Sequence, residues 1–363
     1  MKMKKRPFHL GLLLSIVLLL IVGVLFVASA SSYEGLAKMG NNLHFIKRHL
    51  VFLITGLVFF VFASRLSIDF IRRMSLPFFA LSVFLCALLY TPLGVSHYNS
   101  VRWLQIPLVG FEFMPSDLLK YASIFYLSDY LVKNRRTTRK FKTFAMIIGI
   151  IGLSTGLVIL KDFSTGMVIG LSLMSLFFVL GMEPYQYALS GLGGGALAFI
   201  MIRMMPYRME RMMSFIDPFD DIQDTDWQLA NSLFAHGIGG FWGVGYLNSR
   251  LKQGYLPMSY NDFIFPIIGE EWGFLGTTFV VLLYFLFTLS GLQIAGRCKN
   301  LYEQLIATGI TICISIQAFF NMGVTIGILP VTGLTLPFIS YGGTSLWVCL
   351  VAAGILLGRS KNH

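Results

Sequence analysis

The chain has 363 residues, of which 56% are hydrophobic and only 12% are charged. Its mean hydropathy of +0.73 exceeds what a water-soluble domain of this size needs for its core, so we predict a polytopic membrane protein. The net charge of +11 does not indicate a nucleic-acid partner, because the basic residues lie between apolar runs and form no surface interleaved with aromatic side chains.

Apolar runs along the chain predict an all-α integral membrane fold of about ten transmembrane helices, forming a single polytopic domain over residues 1–363. The predicted spans are 10–30, 46–63, 76–91, 115–132, 143–160, 164–181, 185–203, 263–295, 304–328 and 340–358. The first run follows a basic start and ends in Ala28-Ser29-Ala30, so a cleaved signal peptide is the alternative. Its length favours an uncleaved span.

The distribution of basic residues orients the predicted bundle. An even number of spans places both termini on one side, and 17 of the 28 Lys and Arg residues fall on that side. By the positive-inside rule that side is cytoplasmic. The long segment 204–262 between the seventh and eighth spans is then extracytoplasmic. Its aromatic residues and glycines indicate short interfacial helices rather than disorder.

Asp262 ends this segment and immediately precedes the apolar residues Phe263, Ile264 and Phe265. A carboxylate at the edge of hydrocarbon is poorly solvated and tends to have a raised pKa, which suits a general base. The alternative is a helix cap, because Asp at a helix start also satisfies free backbone N–H groups. Spacing alone does not separate the two interpretations.

Further ionisable residues fall inside or at the edge of predicted spans, where charge is expensive and is usually functional. We expect most of them to converge on an outward-facing polar cavity that holds both carboxylates and cations. The simpler alternative is structural pairing, such as Asp117 with Lys120 on one helix face. The residues inside or at the edge of spans are Asp117, Lys120, Asp162, Glu270 and Glu271, and the outer loops add Arg102, Arg208 and Lys252.

Proline and glycine interrupt the hydrophobic segment 321–346, and such irregular backbone at membrane depth requires cover by protein or a cavity. Gly342 and Gly343 open the last helix, where backbone N–H groups can receive an anion such as a diphosphate. With Ser340 beside them, they are predicted substrate-binding residues. A helix start without any ligand is the alternative.

Other patterns in the sequence give little indication of a functional site. The run GIGGFWGVG at 237–245 lacks the strand that a dinucleotide loop needs, so close backbone packing is the better interpretation. The four cysteines show no paired spacing, which predicts neither a disulfide framework nor a metal site. An acidic cluster lacks the pattern of a calcium loop, and we expect mostly a solvated face. Its members are Asp217, Asp220, Asp221, Asp224 and Asp226.

Several long motifs in order give a resemblance that covers nearly the whole chain. They are RW at 102–103, MPSDLLK at 114–120, KDFSTG at 161–166, PYRMERMMSFIDPF at 206–219, YLPMSYNDFIFPIIGEEWGFLG at 255–276 and NMGVTIGILPVTGLTLPFISYGGTSL at 321–346. With these motifs the chain resembles the shape, elongation, division and sporulation (SEDS) family of bacterial cell-wall glycosyltransferases. The sequence at 206–219 and the PFISYGG sequence within 321–346 are more similar to the division or sporulation members than to the elongation members.

The sequence departs from the family pattern in two places. Where the family usually has Pro-Glu-x-His-Thr-Asp, this chain has Pro-Met-Ser-Tyr-Asn-Asp at 257–262, and Asp117 replaces the usual Glu. Asp262 is retained at the position of the family's essential acid. The changed neighbours Tyr260 and Asn261 raise the question of how that acid is oriented.

The resemblance implies polymerisation of lipid II, a disaccharide-pentapeptide on a polyprenyl diphosphate, at the outer face of the bacterial cytoplasmic membrane. Asp262 would be the catalytic base, and the phosphates would be held by Arg102, Lys120, Arg208 and Lys252. The sequence leaves open whether a divalent cation accompanies the diphosphate. The implied partners are a single-span class B penicillin-binding protein, which crosslinks the strands, and other division or elongation membrane proteins.

A different class of function remains open from the residues alone. Ten spans, a polar cavity and interrupted helices also suit a transporter that flips lipid-linked precursors, or a scaffold that only recruits a partner. Polymer formed from purified lipid II would distinguish an enzyme from either alternative.

Overall fold

The computed structural model describes residues 9–97, 100–106, 111–220 and 226–360. This part of the chain forms thirteen α-helices and one small sheet. In chain order the helices are α1 Leu10–Ala30, α2 Ser32–Met39, α3 His44–Ala63, α4 Ile68–Leu88, α5 Pro115–Lys133, α6 Phe141–Ile159, α7 Phe163–Leu180, α8 Pro184–Arg203, α9 Pro206–Ile216, α10 Trp227–Gly239, α11 Ile264–Arg297, α12 Leu301–Thr325 and α13 Thr344–Arg359.

Each of the ten predicted spans coincides with one of the long helices, and the prediction of a multi-pass helical membrane protein is confirmed. By length and composition, eight of the helices could cross a membrane: α1, α3, α4, α6, α7, α8, α11 and α12. The other two matches, α5 and α13, differ for physical reasons. Helix α5 carries four charged residues, and α13 is only 16 residues long. A count of ten crossings stays a prediction.

Helices α5 and α12 form the centre of the bundle. Most residues of α5 are buried, and α12 packs against α5, α7, α11 and α13. Helix α1 packs against α11, α3 against α13, and α4 against α5, so that they surround this centre. A helix covered by protein can carry charged residues because its polar side chains meet other protein groups rather than lipid. Helix α8 lies at the edge, with most of its residues exposed.

A three-stranded antiparallel sheet, which was not predicted, joins α4 to α5. Its strands are β1 Gly94–His97, β2 Ser100–Ile106 and β3 Phe111–Phe113, in the order β1-β2-β3. Leu104 on β2 pairs with Gly94 and Phe113 and is buried. Because side chains two apart on a strand point to the same face, Arg102 is directed inward with Leu104. The sheet therefore places the cationic side chain of Arg102 at the end of the bundle where α5 and α7 begin.

The predicted short helices of segment 204–262 are observed as α9 and α10, and the rest of the described segment is irregular. Within the acidic cluster, Asp217 and Asp220 are exposed as expected, whereas Asp226 is buried, so the prediction of a solvated face fails there. Asp221 and Asp224 lie outside the described residues. All four cysteines are free, as predicted.

Candidate active site

The loop that ends at Asp262 is held by its backbone. Three successive carbonyl oxygens accept hydrogen bonds from the irregular segment and helix that follow α11. The carbonyl of Tyr260 accepts from Tyr341 N at 2.9 Å, that of Asn261 from Ser340 Oγ at 2.6 Å, and that of Asp262 from Asn321 Nδ2 at 2.7 Å. Hydrogen bonds to main-chain carbonyls do not depend on the side chains of the residues they anchor. These three anchors therefore remain possible when the side chains at positions 260 and 261 differ.

The side chain of Asp262 does not cap a helix. Helix α11 has Phe263 at its N-cap, with no hydrogen bond from a side chain, so the capping alternative is wrong. Loss of water from around the carboxyl raises the pKa of Asp262 to about 6, and Asp162 adds to the rise, while Arg102 and Arg211 oppose it. A carboxylate with this pKa is ionised at neutral pH and can still take up a proton, as a general base must.

Asp162 and Arg102 form an ion pair next to this carboxyl. Asp162 is the N-cap of α7, where it accepts from Thr165 N at 3.2 Å and from Thr165 Oγ1 at 2.7 Å. Arg102 Nε lies 3.3 Å from Asp162 Oδ2, and Arg102 Nη1 donates to the carbonyl of Gly333 at 2.8 Å. Asp162 is therefore bound to protein on both oxygens, which leaves Asp262 as the more available acid.

A cavity of about 480 Å³ opens beside these residues, between α7, α8, α9 and the segment after α12. Four cationic side chains line it: Arg102, Lys161, Arg208 and Arg211. The remaining wall is largely apolar and comes from Leu160, Phe163, Met167, Ala198, Ile202, Met205, Met212, Phe320, Leu329, Pro330 and Val331, among others. Asp262 is beyond this lining, within electrostatic reach of Arg102 and Arg211.

The two arginines of α9 lie three residues apart, so both reach the same side of the helix. Arg208 donates to the carbonyls of Ile159 and Leu160 at 2.9 and 3.1 Å and stacks on Phe163. Arg211 stacks on Tyr207 and donates to the carbonyl of Val331 at 3.2 Å. Each guanidinium has five N–H donors, so these bonds leave donors for a ligand anion. An apolar cavity with several such donors suits an anionic amphiphile.

The predicted pair Asp117 and Lys120 is buried inside the bundle. Lys120 Nζ lies 2.8 Å from Asp117 Oδ1 and donates to Gln317 Oε1 at 2.7 Å. Gln317 in turn donates to the carbonyl of Thr335 at 2.9 Å. This chain of polar contacts ties α5 to α12 and to the segment at 335. Neither residue lines the cavity, and the structural-pairing alternative describes their geometry.

Lys252 and Glu271 also lie apart from the cavity. Both are buried, and Lys252 Nζ lies 2.8 Å from Glu271 Oε1. Lys252 Nζ also donates to Ser29 Oγ at 2.8 Å and to the carbonyl of Leu247 at 2.7 Å. With its three donors occupied, this ammonium is not available to a phosphate in the cavity. The expected convergence therefore includes Arg102, Asp162, Arg208 and Asp262 but not Lys252 or Glu271.

The three predicted residues at 340–343 are near the loop that ends at Asp262 rather than in the cavity. Ser340 donates to the carbonyl of Asn261 and accepts from Leu336 N at 2.8 Å, so its hydroxyl serves the loop. Gly343 is the N-cap of α13 and packs against Phe52, and Gly342 is partly exposed. Anion binding by Gly342 and Gly343 stays a prediction.

Sequence reasoning missed Lys161, Arg211 and Asn321. Signals existed for the first two: Lys161 precedes Asp162 directly, and Arg211 follows Arg208 by one helical turn. Asn321 gave no such signal, because a polar residue inside an apolar helix does not reveal which backbone it contacts.

A divalent cation would need carboxylate or imidazole ligands close together. In the described ranges, no group of three or more His, Cys, Asp or Glu side chains has that geometry. Asp162 has both carboxylate oxygens bound by Thr165. The donor set near Asp262 does not fit a cation held by protein side chains alone.

Fold and site together define a class: a polytopic helical membrane protein with a raised-pKa carboxyl at one end of its bundle, beside an apolar cavity lined by cations. Residues 10–363 match the family model described as "Cell cycle protein", which covers FtsW, RodA and SpoVE. The chain belongs to this family.

Relatives with similar sequences align with nearly the full length of this chain, which supports the membership. Stage V sporulation protein E of Bacillus subtilis is 34% identical over 365 residues, which cover 99% of each chain. A probable peptidoglycan glycosyltransferase FtsW of Thioalkalivibrio sulfidiphilus is 37% identical, covering 97% of this chain and 89% of that protein. The resemblance to the SEDS family is thereby confirmed.

Solved structures share the fold. A chain from a peptidoglycan synthase complex that coordinates polymerization and crosslinking superposes with a TM-score of 0.79 at 25% identity, covering 98% of this chain and 99% of the other. The rod shape determining protein RodA of Thermus thermophilus gives a TM-score of 0.73 at 22% identity, covering 98% of both chains.

Proposed function

We propose that this chain is a peptidoglycan glycosyltransferase that polymerises lipid II at the outer face of the bacterial cytoplasmic membrane, in division septum synthesis. The observation that carries the proposal is the position of Asp262: a carboxyl with a pKa of about 6, next to two arginines that also line an apolar cavity. The names of its relatives, among them peptidoglycan glycosyltransferases, support the same activity.

The reaction joins a sugar hydroxyl of one lipid II to the anomeric carbon of a lipid-linked strand. Asp262 removes the proton of the attacking hydroxyl as the new C–O bond forms, and the bond from the anomeric carbon to the diphosphate breaks. The leaving group takes the bonding electrons and carries its negative charge as polyprenyl diphosphate. A single base and an activated donor are consistent with inversion at the anomeric carbon, because no second carboxylate is needed as a nucleophile.

The cavity offers cations that would bind the leaving diphosphate and an apolar wall that would contact its polyprenyl chain. Arg102, Arg208 and Arg211 present guanidinium groups, which bind phosphate oxygens by paired, charge-assisted hydrogen bonds. Lys161 adds a fourth positive charge. The methionines and other apolar residues of α7, α8 and α9 would accept the first isoprene units, since Met side chains adapt to irregular apolar surfaces. Charge developing on the diphosphate would thus be stabilised in a poorly hydrated site.

The proposed topology places both termini in the cytoplasm and the cavity outside. The charge bias of the sequence supports it, since 17 of the 28 Lys and Arg residues fall on the predicted side of the termini, opposite the predicted side of Asp262. A periplasm-active reporter inserted within 217–226 should be active, and one inserted near Arg136 should be silent. The reverse pattern would remove the outward placement of the site and the reaction with it.

We propose a class B penicillin-binding protein as the partner, together with other membrane proteins of division or elongation. The support is the similarity to a chain from a complex that both polymerises and crosslinks. Co-purification of the full-length chain with the transpeptidase of its own cell would test this proposal. Recovery of the chain without the transpeptidase, under conditions that keep the transpeptidase soluble, would contradict it.

The decisive test is polymerisation by the purified protein, with its transpeptidase partner, given lipid II in detergent. Asp262→Asn keeps the shape of the side chain and cannot accept a proton at neutral pH. Glycan synthesis should fall by roughly two to four orders of magnitude. Asp69→Asn is a matched control, since Asp69 is exposed in the first turn of α4, far along the chain from the site. Long strands made by Asp262→Asn would overturn the proposal. Lipid movement between leaflets of reconstituted vesicles, without polymer in detergent, would support a flippase.

A further inference from the structure

Helix α11 is broken one quarter of the way along. Gly273 has φ 65° and ψ −160°, which is not helical, so residues 264–272 form a separate half-helix that starts two positions after Asp262. At such a break, carbonyl and N–H groups of the adjoining turns lose their helical partners. In a membrane protein these groups must find other partners within the protein.

The partners come from the segment 239–245, which we call the strap. Val244 N and Gly245 N donate to the carbonyls of Glu270 and Glu271 at 2.9 and 3.0 Å. From the other side of the break, Phe274 N and Leu275 N donate to the carbonyls of Gly240 and Phe241 at 2.8 and 3.3 Å. The strap therefore joins both sides of the break through four backbone hydrogen bonds.

Glycine is required where the strap meets the half-helix. Gly243 has φ 81°, and a Cβ built on it would collide with the carbonyl of Glu271. A Cβ on Gly239 would collide with the carbonyl of Gly269. The backbones touch directly, which explains the predicted close packing of the run GIGGFWGVG. Such contact leaves the half-helix little room to move relative to the strap.

Two carboxylates at the end of the half-helix bind it to a second loop. Glu270 accepts from Ser249 Oγ at 2.5 Å and from Arg250 N at 2.7 Å. Glu271 Oε1 accepts from Lys252 Nζ at 2.8 Å, from Ser29 Oγ at 2.5 Å and from Ser249 N at 3.3 Å. Ser29 belongs to α1, so the half-helix is also anchored to the first helix of the bundle.

These charged side chains are almost completely buried, so the loss of any one contact is costly. Lys252 is 5% exposed, Glu271 1% and Glu270 0%. Buried charges are tolerated only when paired and hydrogen-bonded, and removal of one partner leaves the other uncompensated. The pair Lys252 and Glu271 is therefore strongly coupled. The pair and its hydrogen-bond partners come from three separate parts of the chain: α1, the loop 247–252 and α11.

We propose that Lys252 and Glu271 are positioning residues, which hold the half-helix 264–272, about 13 Å long, and thereby set the place of Asp262 just before its other end. This inference rests on the proposed function of Asp262 as the base. It assigns Lys252 and Glu271 to geometry rather than to phosphate binding. The strap, Ser29 and the buried pair then form one clamp at the far end of the half-helix, while Asn321 and Ser340 hold the near end.

A double-mutant cycle on lipid II polymerisation separates the two roles. Lys252→Met removes the ammonium and leaves Glu271 as a buried unpaired charge, whereas Lys252→Met with Glu271→Gln leaves a neutral pair. For a positioning pair, Lys252→Met should lower kcat about 10-fold or more with KM within about twofold, and the added Glu271→Gln should restore most of kcat. A raised KM for lipid II that Glu271→Gln does not restore would overturn the proposal in favour of direct phosphate contact.

The control and a milder variant keep the test informative. Lys38→Met with Glu34→Gln removes a partly exposed ion pair of α2, distant in sequence from Lys252 and Glu271, and should leave kcat and KM unchanged. Should Lys252→Met not fold, Ser29→Ala removes one hydrogen bond from each member of the buried pair. It should lower kcat several-fold at constant KM. An unchanged kcat in Ser29→Ala, with Lys252→Met unfolded, would also count against the clamp.

A second measurement does not depend on activity. In native-state hydrogen exchange, the amides of 264–272 should exchange at least 10-fold faster in Ser29→Ala than in the unmodified protein, with those of α12 unchanged. Equal exchange in both proteins would overturn the clamp even if the chain polymerises lipid II. Faster exchange in Ser29→Ala, together with no polymer from the unmodified protein, would support the clamp and contradict the proposed function instead.

Discussion

Asn321 of α12 donates from Nδ2 to the carbonyl of Asp262 at 2.7 Å and to the carbonyl of Leu334 at 2.6 Å. One buried amide thus joins the loop of the proposed base to the segment that forms one wall of the cavity. The main chain at Asp262 cannot shift relative to that segment without breaking one of these bonds. The position of Asp262 therefore depends on a residue that does not line the cavity.

Asn321→Leu should lower the polymerisation rate at least 10-fold. Leucine has a similar volume but donates nothing, so the buried carbonyl of Leu334 and the partly buried carbonyl of Asp262 lose a donor, at a cost of about 1–3 kcal/mol for a buried unsatisfied group. The measurement is kcat for lipid II together with the melting temperature of the purified protein. Asn231→Leu is the control, because the buried Asn231 bonds only within α10 in the described contacts, to the carbonyl of Trp227. Equal kcat values for the two variants would contradict the anchoring role.

The pH dependence follows from the raised pKa of Asp262. Since the base must be ionised, kcat/KM should rise with pH through about 6 and level off above it. Because the pKa in the folded protein lies above the unfolded value, the ionised carboxyl opposes folding. The stability that the neutral carboxyl gives to the folded protein is therefore fully present below about pH 4, and it is lost as the pH rises through 6. Asp262→Asn should therefore be more stable than the unmodified protein at pH 7 and equal to it near pH 4.

Rate profiles and thermal unfolding, both measured between pH 4 and 8, check this prediction. A rate that does not change between pH 5 and 7 would argue against Asp262 as the base. An Asp262→Asn protein that is less stable at pH 7 would argue against a poorly solvated carboxyl at this position.

Arg211→Gln should weaken lipid II binding by about 10-fold to 100-fold in KM, since a hydrogen bond to a charged group contributes about 1.5–3 kcal/mol. Arg211 lines the cavity and senses the charge of Asp262, so it joins the lipid site to the base. Arg203→Gln is a matched control, because Arg203 stacks on Phe199 but does not line the cavity. Steady-state kinetics with purified lipid II would check both. A similar rise in KM for the two variants would indicate a general loss of surface charge.

The helices could be predicted from the sequence because hydropathy alone determines where apolar chain must enter a membrane. The position of Asp262 before α11 could also be predicted, and so could the cations Arg102 and Arg208. The place of Lys252 could not, since a loop lysine looks exposed in sequence and becomes buried only through Ser29 and Glu271, which lie far along the chain. The sheet at 94–113 escaped prediction because its strands are short and sit between two helices.

The hydrogen bonds around Asp262 explain a departure from the family pattern. The family usually has His-Thr where this chain has Tyr260 and Asn261, yet both residues are anchored by their main-chain carbonyls. Tyr260 adds contacts of its own, since its ring lies against those of Phe45 and Tyr341. The Oδ1 atom of Asn261 has no hydrogen-bond partner within the described structure. Its side chain is thus the less constrained of the two.

We therefore expect Asn261→Thr to keep or raise the polymerisation rate, because it leaves the carbonyl anchor intact and removes an unsatisfied buried acceptor. Tyr260→Ala should instead lower stability by about 3–5 kcal/mol, as the loss of a large buried aromatic side chain usually does. Thermal unfolding and strand synthesis of both variants, each measured with Asp262 intact, check the pair. A loss of activity in Asn261→Thr with normal stability would show that the Asn side chain itself orients the carboxyl, and that this chain positions its base differently from the family pattern.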